Sequence, residues 1–406
     1  MSKDNSRFFK EKKIWSEVKD SLLACYLVPY FSKIMMTKRP LLYIDCFAGK
    51  GKFEDGKTGS PLNALGCLSE SLLKNRSTKE GAPKPEVYMR FIESNHAQDL
   101  WNNLPQPCPC DCKVIEGAFE LQIGKLLNNA AKRMPNANVF LYVDPYGIKA
   151  LNMPLFQALP KHFSSAELLI NLNSFGFLRE ALRVRKIALK TCDEDLLTDL
   201  DEYDSSILDS LDDLNTIAGG DYWQEIVDQY KHQQISMLEA EKRFAECYKM
   251  QLRKSFRYVL DMPIRLKSGQ NPKYRLVFAT NHVDGCTLMA DNIFKRGDYL
   301  VRDIQHGGQM SMFETTPDNE YVDEQQIDRK MSYVVDAIPD GDAVQSKELL
   351  ADFFNQNGVI CATRHLNASL ARLESGKRIQ VTRPGVAPNS KYWTEQKGKK
   401  IFVRRA

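Results

Sequence analysis

The chain of 406 residues carries 56 Lys and Arg against 52 Asp and Glu, a formal net charge of +4, and 43% of its residues are apolar. That is enough for a sizeable core and for two domains. No run of about 18 apolar residues occurs, and MSKDNSRFFKEKK at the start lacks an apolar core, so a membrane span and a secretory signal are both excluded from the expectation. Ten cysteines are scattered, several inside apolar segments (Cys25, Cys46, Cys67), as reduced packing thiols of a cytoplasmic protein would be.

Residues 41–61, LLYIDCFAGKGKFEDGKTGSP, admit two chemistries. Leu41 to Ile44 run into Asp45, and Phe47-Ala48-Gly49-Lys50-Gly51 follows. This predicts a buried parallel strand ending in a glycine turn, where open α/β sheets place ligands. As a D-x-F-A-G-x-G turn it suits the methionine and adenosine parts of S-adenosylmethionine, with Asp45, Phe47, Ala48, Gly49 and Gly51 at the methionine end. From Gly51 onward, GKFEDGKT also fits the phosphate-loop pattern, and the apolar strand ending in Asp144 could serve as its magnesium-binding partner. Electrostatics favours the first reading. A phosphate cradle points N–H groups at negative charge, whereas Glu54 and Asp55 would repel a triphosphate.

After a helix over 62–75, a second strand over 87–94 ends in Glu93-Ser94, and a carboxylate at that tip is suited to ribose hydroxyls. The polar stretch 74–86 reads as an inserted loop. CPCDC follows, with Cys108, Cys110 and Cys112 at a spacing unlike zinc pairs, and it reads as a loop without a metal. A third strand over 113–117 puts Glu116 near the adenine edge. The fourth, over 139–147, ends in Asp144-Pro145-Tyr146-Gly147, and the fifth, over 167–177, in Asn171, Asn173 and Phe175. Polar strand tips separated by helix-length segments describe a doubly wound, Rossmann-like parallel sheet with one functional edge.

The DPYG tetrapeptide suits an exocyclic base amine, whose lone pair is delocalised into the ring. Hydrogen bonds from its N–H groups to Asp144 and to the Pro145 carbonyl would localise that lone pair. Proline fixes its own φ, so the carbonyl can face a pocket, and Tyr146 could stack on the base.

These segments resemble the three-Cys-motif partner family, proteins with a class I methyltransferase-like domain. The resemblance is carried by WSEVKDSLLACYLVPYF (15–31), YIDCFAGKGKFEDGKTGSPLNAL (43–65), FLYVDPYGIKAL (140–151), LLINLNSFG (168–176), GGDYWQEIVDQY (219–230) and YRLVFATNHVDGCTLMADNIFK (274–295). It implies S-adenosylmethionine as cofactor and association with a three-Cys-motif, radical-enzyme-like protein. That motif belongs to the partner and not to this chain's cysteines. DPYG also resembles the tetrapeptide of tRNA guanine-N2 dimethyltransferases.

A helical insertion is expected over about 178–252. It opens with a basic face on LREALRVRKIALK (178–190) and continues through an acidic block, Asp193 to Asp221, with eleven acidic residues and no Lys or Arg. Residues 256–266 and 273–282 read as an antiparallel pair closing the sheet, with SGQNP as the turn. A linker is expected over 306–328. Helices over 346–358 and 362–376 and a hairpin over 377–396 then give the order of a winged helix, occupying 329–406. From Arg364 to Arg405 there are eleven Lys or Arg and two Glu. Arg364 and Arg372 would lie on the reading helix and Arg383 on the wing, facing nucleic acid.

The expectation is therefore a class I methyltransferase-like domain over 1–305, joined to a winged helix, that methylates a nucleobase amine of RNA or DNA with no metal. A non-catalytic cofactor-binding subunit of the three-Cys-motif protein is the alternative, and a phosphate-loop hydrolase is the third reading.

Overall fold

Seven short runs, all but the third largely apolar, pair into one sheet: Leu41–Asp45 (β1), Val87–Glu93 (β2), Asp111–Glu116 (β3), Asn138–Val143 (β4), Ser165–Leu172 (β5), Tyr258–Ile264 (β6) and Tyr274–Thr280 (β7). In the computed structural model their order is β3-β2-β1-β4-β5-β7-β6. The structure describes residues 12, 14–76, 86–189, 210–264, 272, 274–305, 322–385, 391–393, 395 and 399–406. Strand β1 pairs in parallel with β2 on one side and β4 on the other, β2 with β3, and β4 with β5. The winding therefore reverses between β1 and β4, and that reversal opens a crevice at the carboxyl ends of the strands.

The alternation of side chains along β1 divides the core. Tyr43 points to one face, where it stacks on Phe140 of β4 at 5.8 Å. There it meets Phe31 of helix α1 (Ile14–Met35), whose Tyr26 and Tyr30 also pack on Phe140. Helix α2 (Ser60–Arg76) lies beside α1, with the Ser71 hydroxyl donating to the Val28 carbonyl. Leu42 and Ile44 point the other way, into a cluster shared with Phe119, Phe156, Phe177, Trp223 and Phe244. Those residues belong to α4 (Phe119–Arg133), α5 (Met153–His162), α6 (Ser174–Val184), α8 (Trp223–Lys231) and α9 (Met237–Arg253), with α7 (Leu211–Ala218) contributing Leu214. Strands β1, β4 and β5 are buried along their whole length, as strands covered on both faces must be.

Three details differ from the sequence reading. Strand β5 stops at Leu172; Asn173 caps α6 by accepting from the Gly176 N–H at 2.8 Å, and Phe175 falls inside that helix. Strand β3 starts at Asp111, so Cys112 lies in the strand itself, its sulfur 3.4 Å from that of Cys110. The basic helix ends at Val184, its remaining cations lying beyond it, and of the acidic block Asp193–Asp221 residues 193–209 lie outside the described residues.

The chain divides into two compact units, Met1–Val259 with Pro263–Ala279, and Leu260–Met262 with Thr280–Ala406. In the second unit α10 (Val283–Gln305), α11 (Glu324–Asp336), α12 (Ser346–Asn357) and α13 (Thr363–Ser375) accompany a small sheet. That sheet holds β8 (Val344–Gln345), β10 (Phe402–Arg405) and β9 (Ile379–Thr382), with both pairings antiparallel. The partner of β9 is thus the 402–405 strand and not the segment near 391–396, of which 394 and 396–398 lie outside the described residues. Helix α11 opens at Glu324, capped by Asp323, within the stretch read as linker; residues 306–321 of that stretch also lie outside the description. No described helix is long and apolar enough to cross a membrane.

Candidate functional site

A cleft of about 180 Å³ opens where β1, β2, β4 and β5 end. Its wall includes Phe47, Ala48, Gly49 and Gly51 after β1, Glu93 and Ser94 after β2, Asp144, Pro145 and Tyr146 after β4, and Asn171 of β5. Residues more than a hundred positions apart thus meet at the switch point, where an open α/β sheet binds ligands.

The turn after β1 has the shape its glycines permit. Gly49 and Gly51 have φ of 62° and 76°, a left-handed conformation costly for other residues. A Cβ on Gly51 would come within 2.8 Å of the Leu100 side chain, on α3 (Ala97–Asn103). Glu93 fastens the turn: one carboxylate oxygen accepts from the Gly49 N–H at 2.8 Å, the other from Asn95 at 2.9 Å and His96 at 3.1 Å. A carboxylate offers about four acceptor positions. These three bonds leave one position on the oxygen that meets Gly49.

The segment GKFEDGKT is a small closed hairpin. Lys52 bridges Thr58, Phe53 N–H donates to Lys57 and Gly56 N–H to Phe53, while Gly59 N–H returns to Gly51. The Lys57 ammonium pairs with Glu17. Those backbone donors are consumed within the chain, so the segment is not a phosphate cradle.

Asp45 lies under the cleft and not in its wall. It is fully buried, and its carboxyl accepts from the Phe47 N–H at 3.3 Å while the other oxygen has no partner. Burial pushes its pKa up to about 7, opposed by a hydrogen bond from Ser60.

Asp144 accepts four hydrogen bonds. The Lys19 ammonium donates to both its oxygens at 2.8 and 2.7 Å, Asn171 donates to Oδ1 at 2.8 Å, and the Tyr142 hydroxyl to Oδ2 at 3.3 Å. That is two donors for each oxygen. Lys19 comes from α1, together with Ser16 and Asp20 of the same wall. Lys12 pairs with Asp20 and donates to the Thr58 carbonyl at 2.7 Å. Burial raises the Asp20 pKa, with Lys12 opposing it. The carbonyl oxygen of Asn171 is buried in the cleft wall without a partner.

Several expected contacts fall elsewhere. Glu116 is exposed at the end of β3 and does not line the cleft. Gly147 is buried behind it, with φ of 95°. Asn173 is spent as a helix cap, and Phe175 is 2% exposed in the core. Of the cations after residue 178, Arg183 is tied to Glu180 and Arg185 to Asp228 and Gln224, while Lys190 lies outside the described residues. In the second unit Arg372 makes a two-pronged bond to Asp328, and Arg383 one to Glu374 while lying 5.1 Å over the Trp393 ring. Arg364 is exposed and meets His365. Ser16, Lys19 and Asp20 were missed, although a signal existed: they fall on the stripe that continues through Leu23, Tyr26 and Tyr30, where an amphipathic helix should be apolar.

No family model matches the chain, and no curated protein matches it in sequence. Among solved structures it is similar to the plantazolicin methyltransferase BamL, crystallised with a triazolic desmethylPZN analog and SAH, at 13% identity and a TM-score of 0.30 over 68% of this chain and 90% of that one. It is also similar to a loganic acid methyltransferase with SAH, at 11% identity and a TM-score of 0.27 over 70% of this chain and 98% of that one. These likenesses are faint and decide neither fold nor chemistry.

Proposed function

We propose that the chain is an S-adenosylmethionine-dependent methyltransferase acting on an exocyclic amine of a nucleobase in RNA or DNA. The observation that carries this reading is the convergence of the glycine turn, Glu93, Asp144-Pro145-Tyr146 and Asn171 on one cleft. A seventh strand slotted between the fifth and the sixth, as β7 is here, is also the arrangement expected of a class I methyltransferase sheet.

The residues present suit such a cofactor. Glu93 retains one acceptor position for a ribose hydroxyl, Phe47 supplies an apolar wall, and the glycines allow close approach of the backbone. The enclosed space is smaller than the ~300–1,000 Å³ of whole ligand pockets, so part of a nucleoside would lie in the open mouth. The bound cofactor would supply a methyl group activated on a sulfonium. Asp144 and the Pro145 carbonyl would hold the N–H groups of the acceptor and Tyr146 would stack on its ring, so that positioning and electrostatics carry the rate.

The αβααββ order that follows α10 in the second unit, with its three-stranded sheet, supports a winged helix. In this reading it brings nucleic acid or the three-Cys-motif partner to the cytoplasmic enzyme. One observation favours a non-catalytic cofactor-binding subunit instead: Asp144 already has two donors on each oxygen, so an acceptor amine finds no vacant position until one is released.

Calorimetric titration with S-adenosylhomocysteine and, separately, with Mg-ATP tests the assignment. Saturable binding of the first alone, followed by labelled methyl transfer to RNA or DNA that Asp144→Ala abolishes, is the expected result. Binding of Mg-ATP alone would overturn it. Cofactor binding with no transfer to any nucleic acid, even with the partner present, would favour the non-catalytic subunit.

A further inference from the structure

We propose that Lys19 is a cofactor-binding residue that receives the carboxylate of the cofactor's amino-acid end, and that in doing so it releases Asp144 for the acceptor. The inference rests on the cleft being an S-adenosylmethionine site. It starts from the bond count at Asp144: Lys19 meets both oxygens, Asn171 adds a donor to one and Tyr142 a donor to the other. About four positions exist on a carboxylate, and four donor contacts fill them. Asn171 and Tyr142 belong to strands of the sheet and are buried. Lys19 is on a long, flexible stem and comes from a helix. It is the donor that can leave.

What would draw it away follows from charge. The Lys19 side chain is 9% exposed, so its ammonium has little water to fall back on and needs an anion wherever it goes. The methionyl end of the cofactor is a zwitterion with one carboxylate and one ammonium. Lys19, Asp20 and Asp144 all line the cleft, Lys19 paired with Asp144 and Asp20 with Lys12. A zwitterion can exchange partners with such an array while Asp144, whose side chain is 24% exposed, keeps the bonds from Asn171 and Tyr142. Its carboxylate would take Lys19, and its ammonium would meet an oxygen of Asp20 or the Asn171 side-chain carbonyl oxygen, which is buried without a partner. The two positions Lys19 vacates on Asp144 are then open to N–H donors. Cofactor would accordingly bind before acceptor.

The experiment compares two ligands that share the nucleoside and differ at the amino-acid end. S-adenosylhomocysteine and 5′-methylthioadenosine are titrated calorimetrically into the full chain, into Lys19→Met and into Lys19→Arg. Loss of a charge-assisted bond predicts that Lys19→Met weakens S-adenosylhomocysteine about tenfold or more. Binding of 5′-methylthioadenosine should stay within about twofold. That ligand reports an intact cleft, so a misfolded variant cannot imitate the result. Lys19→Arg keeps the cation and should recover most of the difference. Equal losses for both ligands, or no loss for either, would overturn the role of Lys19 while leaving the cleft assignment standing. If the unmodified protein binds neither ligand, the cleft assignment falls and this inference falls with it.

Discussion

The cleft and the C-terminal unit both gather charged side chains, but to opposite ends. In the cleft, polar groups from five chain segments converge on open space, and the Asn171 side-chain carbonyl in its wall and Asp45 Oδ2 beneath it are buried without partners. In the C-terminal unit, arginines that look available in sequence are held by carboxylates of the same unit, Arg372 by Asp328 and Glu324, Arg378 by Asp336, and Arg383 by Glu374. Buried polar groups left unsatisfied cost stability. The C-terminal unit holds some as well, among them Asn367 Oδ1 and Trp393 Nε1; what sets Asn171 apart is that it lines open space. A basic run in a sequence is only a candidate for binding until its counter-charges are located.

The largest expected effect separates the two regions by pH. Asp45 has an ordinary carboxyl pKa of 3.8 when unfolded and about 7 when folded, because burial disfavours the charged form. Between those values the native protein holds more protons than the unfolded chain. Stability from this group is therefore full below pH 4, falls as pH rises toward 7, and levels off above it. About three pH units at 1.36 kcal/mol each set an upper scale of ~4 kcal/mol. Asp45→Asn keeps an acceptor for Phe47 and never ionises, so at pH 8 it should be more stable than the parent by about 2–4 kcal/mol. Urea unfolding from pH 4 to pH 8 measures this. Equal pH slopes for the two proteins would show that Asp45 does not carry the excess charge cost of the cleft.

The next effect belongs to the other region. The Arg383 side chain is 8% exposed, while Glu374 is 29% exposed. Arg383 also lies over Trp393 and donates to the Tyr392 carbonyl at 3.0 Å. Breaking a buried pair by removing one partner costs roughly 3–5 kcal/mol, and the partial exposure of Glu374 reduces this to about 2–3 kcal/mol for Arg383→Ala. Thermal unfolding followed in the full chain reports it. If the variant keeps its stability and loses affinity for nucleic acid, Arg383 reads a phosphate after all and the contrast between the regions collapses.

Much of the first unit was legible because its signals are local. Apolar runs ending in a carboxylate or glycine, as at 41–51 and 87–93, mark buried strands and their tips directly. Asn171, Glu93 and Asp144 could be placed in one cleft because a doubly wound sheet brings alternate tips together. What escaped was non-local or depended on where an element stops. Lys19 meets Asp144 across 125 residues of sequence. Asn173 and Phe175 continue the apolar run of β5 without a break, and only the capping bond to Gly176 shows that a helix has begun. The basic tail misled for a related reason: its counter-charges, Glu324, Asp328 and Asp336, sit on α11, partly within residues read as linker.

The smallest expected effect isolates availability from charge. Arg372 and Arg364 lie on the same helix, α13, and both are exposed. Arg372 spends its guanidinium on Asp328, with two bonds of 2.8 Å, whereas Arg364 meets only the neutral or weakly basic ring of His365. Exposed pairs of this kind contribute about 0.2–1 kcal/mol, so Arg372→Ala should cost less than about 1 kcal/mol and Arg364→Ala still less. Binding to a duplex DNA oligonucleotide across a salt series tells them apart. Each phosphate contact contributes roughly 0.9 to the slope of log K against log salt. Arg364→Ala should lower that slope by about one contact and Arg372→Ala should leave it unchanged, because a guanidinium already satisfied by a carboxylate releases no counterion from DNA. A drop for Arg372 as large as for Arg364 would mean that the Asp328 pair opens on contact with DNA, and the paired arginines of this unit would then be a reserve and not a finished structure.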